Sequence, residues 1–206
     1  MFKPSVYGLT GNMGCGKSTV AKFFSEFPDV IIFNADQIAK EILCQKKYSK
    51  KLLQFFGPAV FSDGKIDLRK VAQLVFNDFQ MLERFENFIH PLTRQSICRK
   101  IRKKTREEHS KISFFLVEAP LIYEADWEKF FEAIIVVTCT QTEQYRRLRV
   151  YRKLSDEEIT KRLARQWSTE EKVRRADFVI DTTCSLEEVK KKVQDLYLCL
   201  KGGIRR

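Results

Sequence analysis

The sequence predicts a three-layer α/β fold in which a parallel five-stranded sheet lies between layers of helices. Three observations support this fold class. Short apolar segments alternate with amphipathic helical segments, a glycine-rich loop joins the first strand to the first helix, and roughly sixty residues in the middle of the chain show helical patterns alone. Alternation of this kind is typical of a parallel sheet covered on both faces.

The glycine-rich loop is the most specific motif. Residues 8–19 read Gly-Leu-Thr-Gly-Asn-Met-Gly-Cys-Gly-Lys-Ser-Thr and contain the phosphate-binding pattern G-x-x-x-x-G-K-[ST]. In this pattern, backbone N–H groups point at phosphates, the lysine meets the β/γ-phosphates, and the hydroxyl ligates Mg2+. Lys17 is therefore a candidate catalytic residue and Ser18 a candidate metal ligand. The residues predicted to bind ATP are Gly11, Asn12, Met13, Gly14, Cys15, Gly16, Lys17, Ser18 and Thr19.

The segments on both sides of the loop fit this prediction. Ser5–Leu9 has the pattern of a short buried strand, and residues 18–27 have apolar side chains at helical spacing. A strand, a glycine-rich loop and a helix in this order are typical of the P-loop NTPase fold, with the helix N-terminus directed at the phosphates. The alternative is a glycine-rich turn with an incidental Lys-Ser pair. The pattern favours binding of a nucleoside triphosphate and does not indicate what is done with it.

The second predicted strand is Val30–Phe33, four apolar residues that we expect to be buried on both faces. Asp36 follows it, before a helix predicted from Gln37 to about Leu43. Because ligands of open α/β sheets bind at the carboxyl ends of strands, Asp36 could accept a proton from an attacking hydroxyl. It could equally be the N-cap of the helix. The spacing alone favours neither role.

The helical insertion spans residues 46–111, and its pattern predicts no strand. Asp63-Gly64 indicates a turn, a helix is predicted to end at His90-Pro91, and a long helix is predicted to begin at Leu92. A parallel connection between two strands needs only one crossover helix. We therefore expect the remaining helices of this insertion to form a subdomain over the carboxyl edge of the sheet, where a second substrate would bind. His90 is either a ligand contact or a structural residue.

Three further strands complete the predicted sheet: Ile112–Val117, Ala133–Thr138 and Ala176–Asp181. The first is followed by Glu118, where P-loop enzymes place a carboxylate that holds Mg2+ or its water. A closing helix is predicted over Ser185–Leu200, with Ser185 as its N-cap and Glu188 three residues later, the spacing of a capping box.

Between the fourth and fifth strands, a helix predicted from Gln141 to Tyr151 opens a basic helical stretch that runs to Gln166. Arginines on such a stretch suit a lid that closes over phosphates, and an exposed charged hairpin is the alternative.

Charge and cysteine usage narrow the class of protein. The net charge of +11 is compatible with nucleic acid or with small anionic ligands, and no basic motif interleaved with aromatic residues favours nucleic acid. Six scattered cysteines without a C-x-x-C pair predict reduced thiols in a cytoplasmic protein, and no segment predicts a signal peptide or a membrane span.

Among protein classes that use this loop, a regulatory GTPase is excluded, because the chain has neither Asp-x-x-Gly nor Asn-Lys-x-Asp. A motor or DNA-acting ATPase would usually be longer. A small-molecule kinase fits best; the alternatives are a nucleoside or nucleotide kinase of similar fold and a nucleic-acid-binding ATPase.

An ordered set of motifs gives the chain a closer resemblance. The motifs are Gly8-Leu-Thr-Gly-x2-Gly-x-Gly-Lys-Ser-Thr-Val-Ala21, Ala35-Asp36-x-Ile-Ala39, Asp63-Gly-x-Ile-Asp-Leu-Arg69, Leu82-Glu-x5-Ile-His-Pro91, Pro120-Leu-Ile-Tyr-Glu124, Gln144-x2-Arg-Leu148, Leu154-Ser155, Arg162-x3-Gln166 and Ala176-Asp-Phe-Val-Ile-Asp181. In this order they resemble the dephospho-CoA kinase family over nearly the whole chain.

The resemblance implies ATP-dependent phosphorylation of the ribose 3′-hydroxyl of dephospho-CoA, the last step of coenzyme A synthesis. It implies a single domain, 1–206, with a core (1–45, 112–140, 170–206), a helical CoA-binding subdomain (46–111) and a lid (141–169). Asp36 matches the family's catalytic base and Arg147 a catalytic lid arginine. The substrate-binding candidates are Arg69, His90, Pro91, Glu118 and Tyr123.

The chain departs from the family pattern at four places. Residues 34–36 read Asn-Ala-Asp where the family usually has Asp-Ala-Asp, and Glu118 stands where Asp usually ends the third strand. The second lid arginine falls on Tyr151, with Arg152 one position later. Thr182 and Thr183 replace the usual Asn and Gly or Ser, which implies a different contact with adenine.

Overall fold

The structure, a computed structural model, describes residues 4–62, 64–108 and 111–202. The strands within these residues are β1 (Ser5–Thr10), β2 (Val30–Asn34), β3 (Phe61–Ser62), β4 (Lys65–Ile66), β5 (Phe114–Glu118), β6 (Ala133–Thr138) and β7 (Phe178–Asp181). The α-helices are α1 (Lys17–Phe24), α2 (Ala35–Leu43), α3 (Ser49–Phe56), α4 (Leu68–Asn77), α5 (Phe79–Glu108), α6 (Gln141–Arg152), α7 (Asp156–Leu163), α8 (Thr169–Arg174) and α9 (Leu186–Lys201).

A parallel five-stranded sheet with helices on its faces forms the centre of the fold, which confirms the predicted fold class. Its strand order is β2-β5-β1-β6-β7. The central strand β1 pairs in parallel with β5, with Leu9 opposite Glu118, and with β6, with Thr10 opposite Val136. The glycine-rich loop therefore leaves the carboxyl edge at the middle of the sheet, and β5 ends directly beside it.

The core lies against β1, β5 and β6. Every residue of β5 is buried, and so is every residue of β6 except Thr138. Aromatic rings from three elements meet there: the rings of Tyr7 and Phe114 are 5.2 Å apart and edge-on, and Phe24 of α1 contacts Phe114 at 6.2 Å. Edge-to-face contacts of this kind add to the burial energy, so they fix α1 against the sheet below the loop.

The prediction that the second strand is buried on both faces is wrong. In β2 only Val30 is buried, and Asn34 is exposed. The strand lies at the end of the sheet order, so one of its edges has no neighbouring strand. An apolar run of four residues cannot distinguish a central strand from an edge strand whose faces are partly covered.

Residues Asn34–Lys103 form a compact unit, and the described residues before and after them form the other. Within the first of these, α5 continues through Pro91, so the predicted helix end at His90-Pro91 is wrong. The reason is packing: Ile89, Thr93 and Ile97, spaced four residues apart, are all buried along one face of the helix. A proline removes one helical hydrogen bond and bends the helix, and this buried face outweighs that loss.

The same unit contains a two-residue antiparallel pair, β3 and β4, with Phe61 opposite Ile66. The sequence predicted no strand here, because two residues are too few to show a period. The predicted turn at 63–64 lies partly outside the described residues, since Asp63 is not described; Gly64 has a positive φ of 72°.

The helices after β6 begin with side-chain caps. The Ser185 hydroxyl accepts the Glu188 N–H, and the Glu188 carboxylate accepts the Ser185 N–H, which confirms the predicted capping box of α9. Ser155 and Glu158 form the same box at α7. Among the residues that the structure describes, no helix is long and apolar enough to cross a membrane.

Candidate active site

The loop between β1 and α1 takes a conformation that requires glycine. Gly11 has a φ of 140°, and a Cβ there would overlap the carbonyl oxygen of Val137 on β6. Gly16 has a φ of 89° and is the N-cap of α1, where no side chain caps the helix and no acidic residue occupies the first turn. A helix N-terminus without a side-chain cap is a favourable position for an anion, because the helix dipole places partial positive charge there.

The Lys17 ammonium lies over the first half of the loop. Its Nζ donates to the carbonyl oxygens of Gly11, at 2.8 Å, and Asn12, at 3.1 Å. These contacts hold the charge beside the loop at the position where the pattern requires it to meet the β/γ-phosphates. The role of Lys17 in binding the phosphates stays a prediction, and its contacts place the ammonium within the loop.

Ser18 and Glu118 contact each other where α1 begins after the loop. The Ser18 hydroxyl donates to Oε1 of Glu118 at 3.0 Å, and Glu118 is only 8% exposed. Parallel pairing of β1 with β5 brings the two residues together, since Glu118 ends β5 beside the loop. Mg2+ prefers hard oxygen ligands and uses one or two protein groups plus phosphates. This pair of oxygens fits such an ion.

Gln144 supports the loop from α6. Its Nε2 donates to the Met13 carbonyl at 2.7 Å and to the Cys15 sulfur at 3.7 Å, and the side chain is buried. A hydrogen bond from the Cys139 thiol, opposed by burial and aided by the Lys17 charge, lowers the pKa of the Cys15 thiol. This thiol is buried beneath the loop.

Arg147, one turn further along α6, is held by the core. Its guanidinium donates to the Glu143 carboxylate at 2.7 Å and to the hydroxyl and carbonyl oxygens of Thr182 at 2.8 and 2.7 Å. The Thr182 hydroxyl in turn donates to the Cys15 carbonyl at 2.9 Å. Arg147 thus lies at the Gly16 end of the loop, where a Cβ on Gly16 would be 3.3 Å from its Nη1.

The segment between α7 and α8 also contacts the loop. The Met13 N–H donates to Oε1 of Gln166 at 2.9 Å. The Asn12 amide donates to the Trp167 carbonyl at 3.2 Å and to the Thr169 hydroxyl at 3.3 Å. From the sequence, Thr182 was expected only as part of an altered contact with adenine, and neither Gln144 nor Gln166 was given a site role. The two glutamines do stand in the quoted motif blocks, and that was the only signal that could have found them.

Asp36 belongs to the unit 34–103. The N-cap of α2 is Asn34, whose side-chain oxygen accepts the Gln37 N–H at 2.8 Å, and the helix begins at Ala35. The interpretation of Asp36 as the N-cap is therefore wrong, and so is the predicted start at Gln37. Asp36 is exposed in the first turn of the helix.

Three substrate-binding candidates lie in the same unit. His90 is half-buried inside α5, where burial lowers its pKa, and Pro91 beside it is exposed. Arg69 is exposed in the first turn of α4, whose N-cap Asp67 accepts its N–H at 2.9 Å.

The other two candidates lie in the other unit: Glu118 ends β5, and Tyr123 is 1% exposed. Burial raises its pKa to about 12, and its ring stacks on Trp167 at 5.9 Å. These contacts give the ring a packing role under the Gln166–Thr169 segment.

Comparison with known proteins gives one family. The family model for dephospho-CoA kinase matches residues 5–188. A dephospho-CoA kinase of Protochlamydia amoebophila is 30% identical over 202 residues, 98% of each chain. One of Enterococcus faecalis is 34% identical, over 92% of this chain and 94% of the relative.

Solved structures agree with these matches. The crystal structure of TT1252 from Thermus thermophilus superposes with a TM-score of 0.80 at 28% identity, over 96% of this chain and 98% of that one. A dephospho-CoA kinase from Campylobacter jejuni has a TM-score of 0.64 at 26% identity, over 98% and 100% of the two chains. With the phosphate loop, its lysine and the Ser18–Glu118 pair in place, the chain belongs to the dephospho-CoA kinase family.

Proposed function

We propose that this chain transfers the γ-phosphoryl group of ATP to the ribose 3′-hydroxyl of dephospho-CoA, giving coenzyme A and ADP. The observation that supports this most directly is the arrangement at the loop, where the Lys17 ammonium contacts the loop carbonyls and the Ser18 hydroxyl contacts the Glu118 carboxylate. Family membership supports the choice of acceptor.

Lys17 and the N-terminus of α1 would bind the β- and γ-phosphates. Lys17 moves from the carbonyls of Gly11 and Asn12 to the phosphates and stabilises the negative charge of the transferring group. Ser18 and Glu118 would hold Mg2+, directly or through its water. Held there, the ion would supply positive charge that offsets the negative charge of the phosphates. Cys15, whose thiol packs under the loop, and Thr19 would contribute through backbone N–H groups.

Asp36 would accept the proton of the ribose hydroxyl, in line with its match to the family's base. His90, Pro91 and Arg69 would contact the acceptor from a helical subdomain, 46–111. Arg147 would act from a lid, 141–169. Its bonds to Thr182 also support a contact with the nucleotide at the Gly16 end of the loop. Six free cysteines are typical of a reducing compartment and support a cytoplasmic location.

Product analysis tests the proposal. The purified protein is incubated with ATP and Mg2+ in parallel with dephospho-CoA, nucleosides, nucleoside monophosphates and DNA, and the products are identified by mass spectrometry. We expect a mass gain of one phosphate on dephospho-CoA, located at the 3′-position by NMR. Transfer to a nucleoside or monophosphate with none to dephospho-CoA, or ATP consumption stimulated by DNA alone, contradicts it.

A further inference from the structure

Gln166 has a contact that the proposed chemistry does not use. Its Oε1 accepts the N–H of Met13, the third residue of the phosphate loop, at 2.9 Å. A primary amide has one acceptor oxygen and a separate NH2 group with two donors. Since the oxygen is engaged by the loop, the NH2 group of Gln166 is held close to the loop and can donate to a ligand there.

The position of Lys17 indicates which phosphate of a bound nucleotide the Gln166 NH2 group would meet. The Lys17 ammonium, which meets the β/γ-phosphates in this motif, rests on the carbonyls of Gly11 and Asn12. Met13 is the next residue. Arg147 and Thr182 lie instead at Gly16, the opposite end of the loop. Gln166 is therefore on the side of the loop that receives the terminal phosphate.

The segment that presents Gln166 is fixed by a buried ion pair. Lys172 on α8 is 0% exposed; its Nζ lies 2.8 Å from Oε1 of Glu124 and donates to the Pro120 carbonyl at 3.1 Å. The same Glu124 oxygen accepts the Trp167 N–H at 2.9 Å. Burying a lysine is costly unless it is paired and hydrogen-bonded, so this pair holds Trp167 in one position.

The residue beside Gln166 is attached to the loop as well. The side-chain amide of Asn12 donates to the Trp167 carbonyl at 3.2 Å. Asn12 itself is only 8% exposed. The Trp167 ring lies between Tyr123, at 5.9 Å, and the Arg175 guanidinium, 4.7 Å from the ring centre. Backbone and ring are thus both fixed, and the Gln166 side chain has a rigid base.

We propose that Gln166 is a terminal-phosphate sensor, whose NH2 group donates to the γ-phosphate while its oxygen stays on Met13, so that the protein distinguishes a nucleoside triphosphate from a diphosphate. This deepens the proposed function and rests on it for the identity of the nucleotide. It does not depend on the acceptor.

The test is equilibrium binding of ADP and of the non-hydrolysable β,γ-imido analogue of ATP, each with Mg2+, measured by calorimetry. In Gln166→Glu the carboxylate can still accept the Met13 N–H but repels the γ-phosphate. Loss of a hydrogen bond to a charged group corresponds to about 10- to 100-fold in affinity. We expect the triphosphate to bind at least about 10-fold more weakly and ADP within about 3-fold of the wild type. Gln166→Ala should likewise lower the ratio of triphosphate affinity to diphosphate affinity.

The matched control is Gln194→Glu, which adds the same charge at an exposed position on α9 and should leave both affinities unchanged. Melting temperatures establish that each variant is folded, which the half-buried position of Gln166 favours. An unchanged triphosphate-to-diphosphate ratio, or an equal loss of both affinities, overturns the sensor role. If another acceptor is phosphorylated, the proposed function fails while a shifted ratio still supports Gln166.

Discussion

The Ser18 hydroxyl donates a hydrogen bond to the Glu118 carboxylate across 3.0 Å, joining the start of α1 to the end of β5. The pairing of β1 with β5 sets this distance, since Leu9 lies opposite Glu118 at the base of the loop. The metal site that we propose is therefore built into the sheet itself.

Glu118→Gln should raise the Mg2+ concentration needed for half-maximal activity. The amide keeps the size of the side chain and can still accept from Ser18, but it removes the charge that attracts the ion. We expect turnover at limiting Mg2+ to fall by about 10²-fold, the scale of a single electrostatic contact. The measurement is a Mg2+ titration of initial rates, with the exposed Glu187→Gln as control. A curve that coincides with the wild type contradicts the metal role.

Lys17→Ala should abolish most turnover and leave the fold intact, because the Lys17 ammonium donates to two loop carbonyls and its side chain is not among the buried residues of the core. Losing the charge that stabilises the transferring group should reduce the rate by at least about 10²- to 10³-fold. Rates and melting temperature are compared with those of Lys22→Ala, an exposed lysine on the same helix. Near-normal activity of Lys17→Ala would show that the loop assignment is wrong.

Asp29 should make the free energy of unfolding decrease as the pH becomes acidic. Burial alone would raise its pKa, but hydrogen bonds from Lys201, Ser113 and Tyr197 overcome this and hold the pKa at about 2. A carboxyl whose folded pKa lies below its unfolded value stabilises the protein above the unfolded pKa, near 4, and loses this contribution as the pH falls towards 2.

The difference in melting temperature between wild type and Asp29→Asn, measured from pH 7 to pH 2, should thus be large at neutral pH and shrink between about pH 4 and pH 2. The same exchange at Asp195, which is exposed on α9, is the control. A difference for Asp29→Asn that stays constant over this range contradicts the assignment.

Breaking the buried pair of Glu124 and Lys172 should destabilise the fold far more than breaking an exposed one. Glu124→Gln leaves an uncompensated ammonium on a side chain that is 0% exposed, and we expect a loss of about 3 kcal/mol in the free energy of unfolding. Adding Lys172→Met should recover part of it. The comparison is Glu157→Gln at the exposed Lys161–Glu157 pair, where solvent screens the charges and a far smaller loss is expected. Urea denaturation measures both, and equal losses would refute the burial argument.

Elements with a strong local signal were predictable from the sequence. The strand at Ala133–Thr138 agrees at both ends with the structure, because its apolar residues lie at the sheet centre and their burial matches their pattern. The Ser185–Glu188 cap agrees as well, since its two partners are only three residues apart in the chain.

Features decided by distant contacts were not predictable. The edge position of β2 depends on the order of strands, and the continuation of α5 through Pro91 depends on the buried Ile89 and Ile97. Likewise, Lys17 and Ser18 follow from one motif, whereas Gln166 reaches Met13 across 153 positions of sequence. One sequence without aligned relatives contains no signal for a contact at that separation.

The two roles considered for Asp36 can now be tested at two different residues. Asn34, not Asp36, caps α2, with its side-chain oxygen 2.8 Å from the Gln37 N–H. Asn34→Ala should therefore lower the free energy of unfolding by about 1 kcal/mol, the usual value of an N-cap, and leave the proton acceptor in place.

Asp36→Asn should do the reverse. It keeps the shape of an exposed side chain in the first turn of α2 and removes only its negative charge. The interaction of that charge with the helix dipole stabilises the helix by about 0.3–1 kcal/mol. It cannot accept a proton from the ribose hydroxyl. Loss of a general base reduces rates by about 10²- to 10⁴-fold, and because proton movement is limited in a loose phosphoryl-transfer transition state, we expect the lower end. ATP affinity should barely change, since Asp36 is not part of the phosphate loop. Turnover, melting temperature and ATP affinity of the two variants are measured side by side. Normal turnover of Asp36→Asn would exclude Asp36 as the base.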